Sequence, residues 1–164
     1  MSRARELSNI QLLENNLPFA FVRGNDLNTR SIANNHYFFN TSESSQGAAS
    51  VTGSSTLTHA GSNGITYTSS NGRFTVPVAG RYLVNGRFRY ASSTDQAVSV
   101  SINTNGNHAA SYLILQCTEA TGLHITACVN LAANDYIQFQ HVSGGARDFY
   151  GADSHTGASI FLIG

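Results

Sequence analysis

The sequence predicts an all-β sandwich, and three features carry the prediction. Apolar and polar residues alternate at period two in run after run, most regularly from Arg81 to Tyr90. Clusters of Gly, Asn and Ser break the runs at roughly the 8–12-residue spacing of sandwiches and jelly rolls. The length, 164 residues and 17.5 kDa, suits one domain with a real core and is too short for two ordinary ones.

The chain opens differently. Within residues 1–17, Leu7, Ile10, Leu13 and Leu17 recur at spacings of three or four, with Arg3, Arg5, Glu6 and Glu14 close by. This spacing predicts a short amphipathic helix, with Ser2 as N-cap, although Arg5 stands where a capping box would place Glu or Gln. So short a helix is marginal alone in water, and its apolar face needs a partner. That partner is either its own domain or another subunit; the second reading makes residues 1–17 an anchoring arm and residues 18–164 the β domain.

From Leu17 onward the elements are short strands. Pro18 to Arg23 is the first and His36 to Asn40 the second, while Ser42 to Asn63 reads as loops with weak edge strands. Ile65 to Thr68 and Arg73 to Val76 flank a tight turn marked by Asn71-Gly72. In the long run, Tyr82, Val84, Gly86, Phe88 and Tyr90 share one face, and Leu83, Asn85, Arg87 and Arg89 the other. Val98, Val100 and Ile102 repeat the pattern before a turn over Asn103 to Asn107. Ser111 to Cys117 is apolar on both faces, so it should be more fully covered. Leu123, Ile125, Ala127 and Val129 alternate again, as do Ile137 and Phe139, and the run Ala158 to Ile163 reads as a central strand. About ten strands result, for which periodicity alone does not choose between sandwich topologies.

Composition limits the function. Charged residues are 11% of the chain, nine basic against nine acidic, and all nine basic residues are Arg. Nothing here supplies the counterion-release energy of a nucleic-acid binder. Solubility rests on 50 Ser, Thr and Asn residues, a neutral surface suited to lying on another without burying unpaired charge. No stretch reaches the roughly 18 apolar residues that span a bilayer, and residues 1–16 lack the apolar segment of a signal peptide. Cys117 and Cys128 do not make a disulfide framework. If strands 110–117 and 122–130 pair as a hairpin, the two are not opposite, which favours free thiols.

The run Gly72-Arg-Phe-Thr-Val-Pro-Val-Ala-Gly-Arg-Tyr-Leu-Val-Asn-Gly-Arg-Phe-Arg-Tyr90 resembles the signature of complement C1q-like and tumour-necrosis-factor-like domains, a Gly-x-Phe-x-x-Pro stretch leading through Gly-x-Tyr into a long aromatic strand. Pro18 to Val22, Ala133 to Phe139 and Ala158 to Ile163 are similar to that family's opening, late and closing strands, with Asn134 where the family usually has Gly. The resemblance implies a ten-stranded jelly roll that assembles as a tight homotrimer. It places Phe74, Tyr82, Val84, Phe88, Tyr90, Phe139 and Phe161 in the jelly-roll core. The opening Met1-Ser-Arg-Ala-Arg-Glu-Leu-Ser-Asn9 looks like the beginnings of small virion proteins of tailed bacteriophages.

Chemistry is sparse. His36, His59, His108, His124, His141 and His155 lack zinc-site spacing; His124 and His141 fall on strands expected to be adjacent. Asp148 and Asp153 are the loop acids that a calcium site of the kind some related domains carry would use, without the alternation of acids that marks one. Arg81, Arg87 and Arg89 form an exposed polar face or a contact to an acidic neighbour. No nucleophile elbow occurs. These features predict a non-enzymatic virion protein without cofactor: a trimeric cement or decoration protein on the outside of a phage capsid, synthesised in the host cytoplasm. Its arm residues Arg3, Arg5, Leu7, Ile10 and Leu13 would dock on the major capsid protein, with no nucleic-acid or membrane partner. The alternative is a short tail or head fibre recognising a host-surface glycan or protein, with Tyr67, Phe149 and Tyr150 as loop aromatics.

Overall fold

Strict alternation from Arg81 to Tyr90 becomes the longest strand of the sandwich, buried on its Tyr82, Val84, Gly86, Phe88 and Tyr90 face and more open on the other. The computed structural model describes residues 17–24, 29–40, 57–91, 98–114, 122–151 and 155–164. Among them are twelve strands: β1 Phe19–Gly24, β2 Thr29–Ile32, β3 Leu57–Asn63, β4 Thr66–Thr68, β5 Arg73–Thr75, β6 Gly80–Arg89, β7 Val98–Thr104, β8 Asn107–Ile114, β9 Gly122–Leu131, β10 Tyr136–Ser143, β11 Arg147–Tyr150 and β12 Gly157–Leu162. Ten of them form two five-stranded sheets, in the orders β3-β1-β12-β6-β9 and β4-β5-β10-β7-β8, while β2 and β11 make a separate two-stranded ribbon. All named pairings are antiparallel. The residues expected to form the helical arm, Arg3, Arg5, Leu7, Ile10 and Leu13 among them, lie outside the described residues, which contain no helix.

Several strands differ from the sequence reading. Residues 36–40 are not a strand: Phe38 and Phe39 sit in a turn, and the segment joins no ladder, its backbone meeting β10 at the isolated bridge of Tyr37 with Gln140 and at the hydrogen bonds on either side of it. The ribbon strands β2 and β11 are additional, short and partly charged, so they give no periodic signal. Strands β8 and β9 do not form a hairpin. The first pairs with β7 and the second with β6, so the connection crosses from one sheet to the other. His124 and His141 therefore belong to opposite sheets, His124 exposed and His141 buried.

The core lies between the two sheets. Phe74, Tyr82, Val84, Phe88, Tyr90 and Phe139 are all buried there, joined by Phe38, Phe39 and Phe149 in an aromatic cluster. Phe88 is central, its ring 4.0 Å from Phe38, 5.9 Å from Phe39 and 5.7 Å from Phe139. Phe161 is the exception to the expected core, 40% exposed. On β12 its neighbours Ala158 and Ile160 face inward, so alternation turns Phe161 to the outer side.

Glycine matters at two places. Gly72 closes the β4–β5 turn at φ +66°, and a Cβ there would stand 2.7 Å from the Phe38 carbonyl oxygen. Gly86 lies on the inward face of β6, where a Cβ would meet the rings of Phe88 and Phe139 at 2.8 Å. The missing side chain is what lets those two rings pack over the strand. Gly86→Val is expected to cost about 1–3 kcal/mol through overpacking, read as a lower urea midpoint with an unchanged slope. Two asparagines hold turn positions of the same kind: Asn105 (φ 51°) with Gly106 (φ 78°) makes the two-residue β7–β8 hairpin turn, and Asn134 stands at φ 70°. Asn tolerates the left-handed region better than other non-glycine residues, which accounts for Asn134 in a position where Gly was the expected residue.

Candidate assembly interface

The outer faces of the two sheets differ in chemistry. On the second sheet, polar side chains satisfy one another: Ser101 Oγ donates to Asn103 Oδ1 (3.1 Å), Asn103 Nδ2 to Gln140 Oε1 (2.9 Å), Gln138 Nε2 to the Asn71 carbonyl (2.7 Å), and Arg73 lies over the Tyr136 ring. The first sheet instead presents apolar groups. Exposed large hydrophobic residues, among those described, are Leu17, Phe19, Phe21, Val78, Phe161 and Ile163. Five of these sit on β1 or β12 or flank them, and Val78 lies in the connection leading to β6.

Strand register arranges this face in three rows. Phe19 pairs with Phe161, Phe161 with Leu83, and Leu83 with Cys128, giving an apolar row across β1, β12, β6 and β9. One step along, Phe21, Ser159, Asn85 and Thr126 are in register; here Asn85 Nδ2 donates to Ser159 Oγ (3.3 Å) and Thr126 Oγ1 to Asn85 Oδ1 (3.0 Å). The next row is Arg23, Gly157, Arg87 and His124. A groove of about 320 Å³ runs between the second and third rows, bounded by Phe21, Asn85, Arg87, His124, Thr126 and Ser159. The face thus grades from apolar at the start of β6 to basic at its end.

Local anchoring holds the apolar end in place. The Leu162 amide donates to the Pro18 carbonyl and the Ile163 amide to the Arg81 carbonyl, while the Arg81 amide donates to Gly164. Tyr82, buried in the core, donates its hydroxyl to the Val78 carbonyl at 2.8 Å and so fixes the connection that displays Val78. Desolvation raises the Tyr82 pKa above the ordinary phenol value, partly offset by that hydrogen bond.

Other residues singled out from the sequence fall elsewhere. Arg89 on the same face contacts His155 Nε2 (3.2 Å) and lies over the Tyr150 ring, making a local aromatic and cationic cluster at the basic end. Phe149 is buried in the core and Tyr67 stacks on Phe74 with its hydroxyl donating to the Phe39 carbonyl, so neither is a loop aromatic. Asp148 is exposed on β11, and Asp153 lies outside the described residues. Among the described residues no group of three or more His, Cys, Asp and Glu side chains could hold a metal ion. Cys128 is an exposed free thiol; Cys117 lies outside the described residues, as do the side chains of 110–114. No helix of the described residues is long and apolar enough to cross a membrane. What sequence reasoning missed is the apolar row: Phe19, Phe21 and Phe161 belong to apolar runs in which both strand faces look alike.

The sequence matches no family model and no curated protein. Among solved structures, Eiger TNF from S. frugiperda is similar with a TM-score of 0.69 at 12% identity, over 90% of this chain and 93% of that one. Murine APRIL, in a crystal structure at pH 5.0, is similar with a TM-score of 0.58 at 9% identity, over 90% of this chain and 99% of that one. At such identities the likeness shows the fold: two five-stranded sheets arranged as a TNF/C1q-like jelly roll.

Proposed function

We propose that this protein is a structural, non-enzymatic homotrimer, built by packing the outer faces of three β3-β1-β12-β6-β9 sheets, and that the trimer decorates the outside of a phage capsid. The observation that carries the trimer is the row of Phe19, Phe161 and Leu83, with Phe21 beside it, on one sheet face. Contiguous apolar surface of this kind marks an association face. Completing the burial of each exposed Phe would contribute about 1 kcal/mol, and a rotational assembly repeats the gain in every copy. Three-fold rather than two-fold closure follows the C1q-like resemblance of residues 72–90.

Support for decoration comes from sequence: the phage-like opening at Met1 to Asn9, the absence of Lys, and a neutral surface rich in Ser, Thr and Asn. In this reading the arm residues Arg3, Arg5, Leu7, Ile10 and Leu13 engage capsid subunits. Binding only the assembled shell stabilises it by mass action, and three arms on one trimer add avidity without strong individual contacts.

Electron cryomicroscopy of the virion tests the location. Many trimers on the head lattice are expected; a few copies at the tail would favour the fibre alternative, and none would remove the virion reading. Deleting residues 2–14 is expected to leave the isolated trimer intact and abolish virion attachment. A monomeric truncation would assign the arm to trimerisation instead.

A further inference from the structure

Residues 33–40 form a strap laid along β10 at one end of the sandwich. The Asn35 amide donates to the His141 carbonyl, the His141 amide to the His36 carbonyl and the Phe38 amide to the Phe139 carbonyl, all at 2.8 Å. Side chains add to these bonds: Gln140 Nε2 donates to the Asn35 carbonyl (2.9 Å), and Asn34 Oδ1 accepts from the Ser143 amide (3.0 Å). The strap inserts Phe38 between Phe88 and Phe149, with centroids 4.0 and 4.9 Å away. Phe39 follows at φ 64°, a conformation that a bulky residue holds only while its surroundings enforce it.

A buried titratable group sits under this strap. His141 is 0% exposed and its ring stands edge-on to Phe38 and Phe149. Its Nε2 is 3.1 Å from Ser143 Oγ, whose own hydrogen is directed to the Gly145 carbonyl. The hydroxyl oxygen is therefore the acceptor, and the ring is the neutral Nε2–H tautomer. Nδ1, where a second proton would go, is buried with no hydrogen bond of full geometry, and the nearby backbone groups of Gly145 and Ser99 compensate a second proton only in part. Titratable groups on the surrounding elements, among the described side chains, are His36 on the strap, Arg147 and the exposed Asp148 on β11, and the Tyr90 phenol on β6, whereas β7 has none. None of these is a buried carboxylate that could neutralise an imidazolium.

We propose that His141 is an acid-operated latch: protonating its ring releases the 33–40 strap and withdraws Phe38 from the core, while the two five-stranded sheets stay paired. Burial holds the His141 pKa down at about 4 against 6.5 for an exposed ring; Arg147 and His36 push it the same way, and backbone groups of Gly145 and Ser99 oppose them. The sign follows from proton uptake on opening. Above pH 6.5 neither state binds the proton and closure is pH-independent, and between 6.5 and about 4 only the open state binds it. The latch uses no residue of the apolar row proposed for the trimer, and its test is separate from that reading.

Amide exchange by nuclear magnetic resonance on the full chain, corrected for intrinsic rates, tests it directly. From pH 7.5 to 4.5 the opening equilibrium reported by Asn35, Phe38 and His141 amides is expected to rise roughly 70-fold, while β6 and β12 amides change little. His141→Phe is expected to flatten that dependence. Equal loss of protection in strap and sheets, or an unchanged pH dependence in the variant, would overturn the latch. Should His141→Phe fail to fold, the wild-type chain decides: strap amides that lose protection over the same pH range in which the His141 ring takes up its proton support the latch, and a ring that titrates while strap protection is unchanged overturns it.

Discussion

Replacing Phe161 with Glu is expected to turn the proposed trimer into a folded monomer. The side chain lies on the outer face of β12, in register with Phe19 and Leu83, so a carboxylate there does not enter the core between the sheets. In an assembled trimer it would be desolvated beside apolar neighbours three times over. Each unpaired buried ion costs several kcal/mol, more than the apolar face returns. Light scattering should show the single-chain mass with an unchanged far-ultraviolet dichroism spectrum. Cys128 in the same row provides a second reading, because its thiol should react slowly with a maleimide in the trimer and quickly in the variant. A variant that stays trimeric would place the interface elsewhere.

Truncating Phe88 to Ala is expected to destabilise the fold by about 3–5 kcal/mol, a large share of the roughly 5–15 kcal/mol that holds a domain together. The ring contacts Phe38, Phe39 and Phe139 at once, so its loss opens a cavity that both sheets and the strap share. Because β6 is pinned by β12 on one side and β9 on the other, collapse around that cavity is restricted and the upper part of the range applies. Urea unfolding of the monomeric Phe161→Glu background measures the cost free of any contribution from association.

Much of the sandwich is legible in the sequence because its long strands obey period two. Tyr82, Val84, Phe88 and Tyr90 are buried as their alternation requires, and so are Val98, Val100 and Ile102. The reading of β12 as a central strand also agrees with the sheet order. The strap is opaque for a physical reason: Phe38 and Phe39 look like strand residues, yet Phe39 takes a left-handed conformation that only tertiary packing explains. The ribbon of β2 and β11 is four residues long on each side and carries Arg30, Arg147 and Asp148, too short and polar for periodicity to register. Glu119 to Gly122 reads as a hairpin turn, but local turn chemistry does not say that the following strand joins the other sheet.

The exposed apolar row, the proposed assembly face, is the least legible part. Ala158 to Ile163 is apolar on both sides, so alternation cannot assign Phe161 to the core or to the outside; its place follows from pairing with β1 and β6. Likewise the neutral tautomer of His141 depends on Ser143 and Gly145 two and four residues away, a hydrogen-bond chain that no motif announces.

The most direct test of the central claim is the mass of the native chain in solution by sedimentation equilibrium at micromolar concentration. Association through the Phe19, Phe161 and Leu83 row predicts three times the 17.5-kDa chain mass. A single-chain mass, with Cys128 as reactive as a free thiol on an open surface, would contradict it.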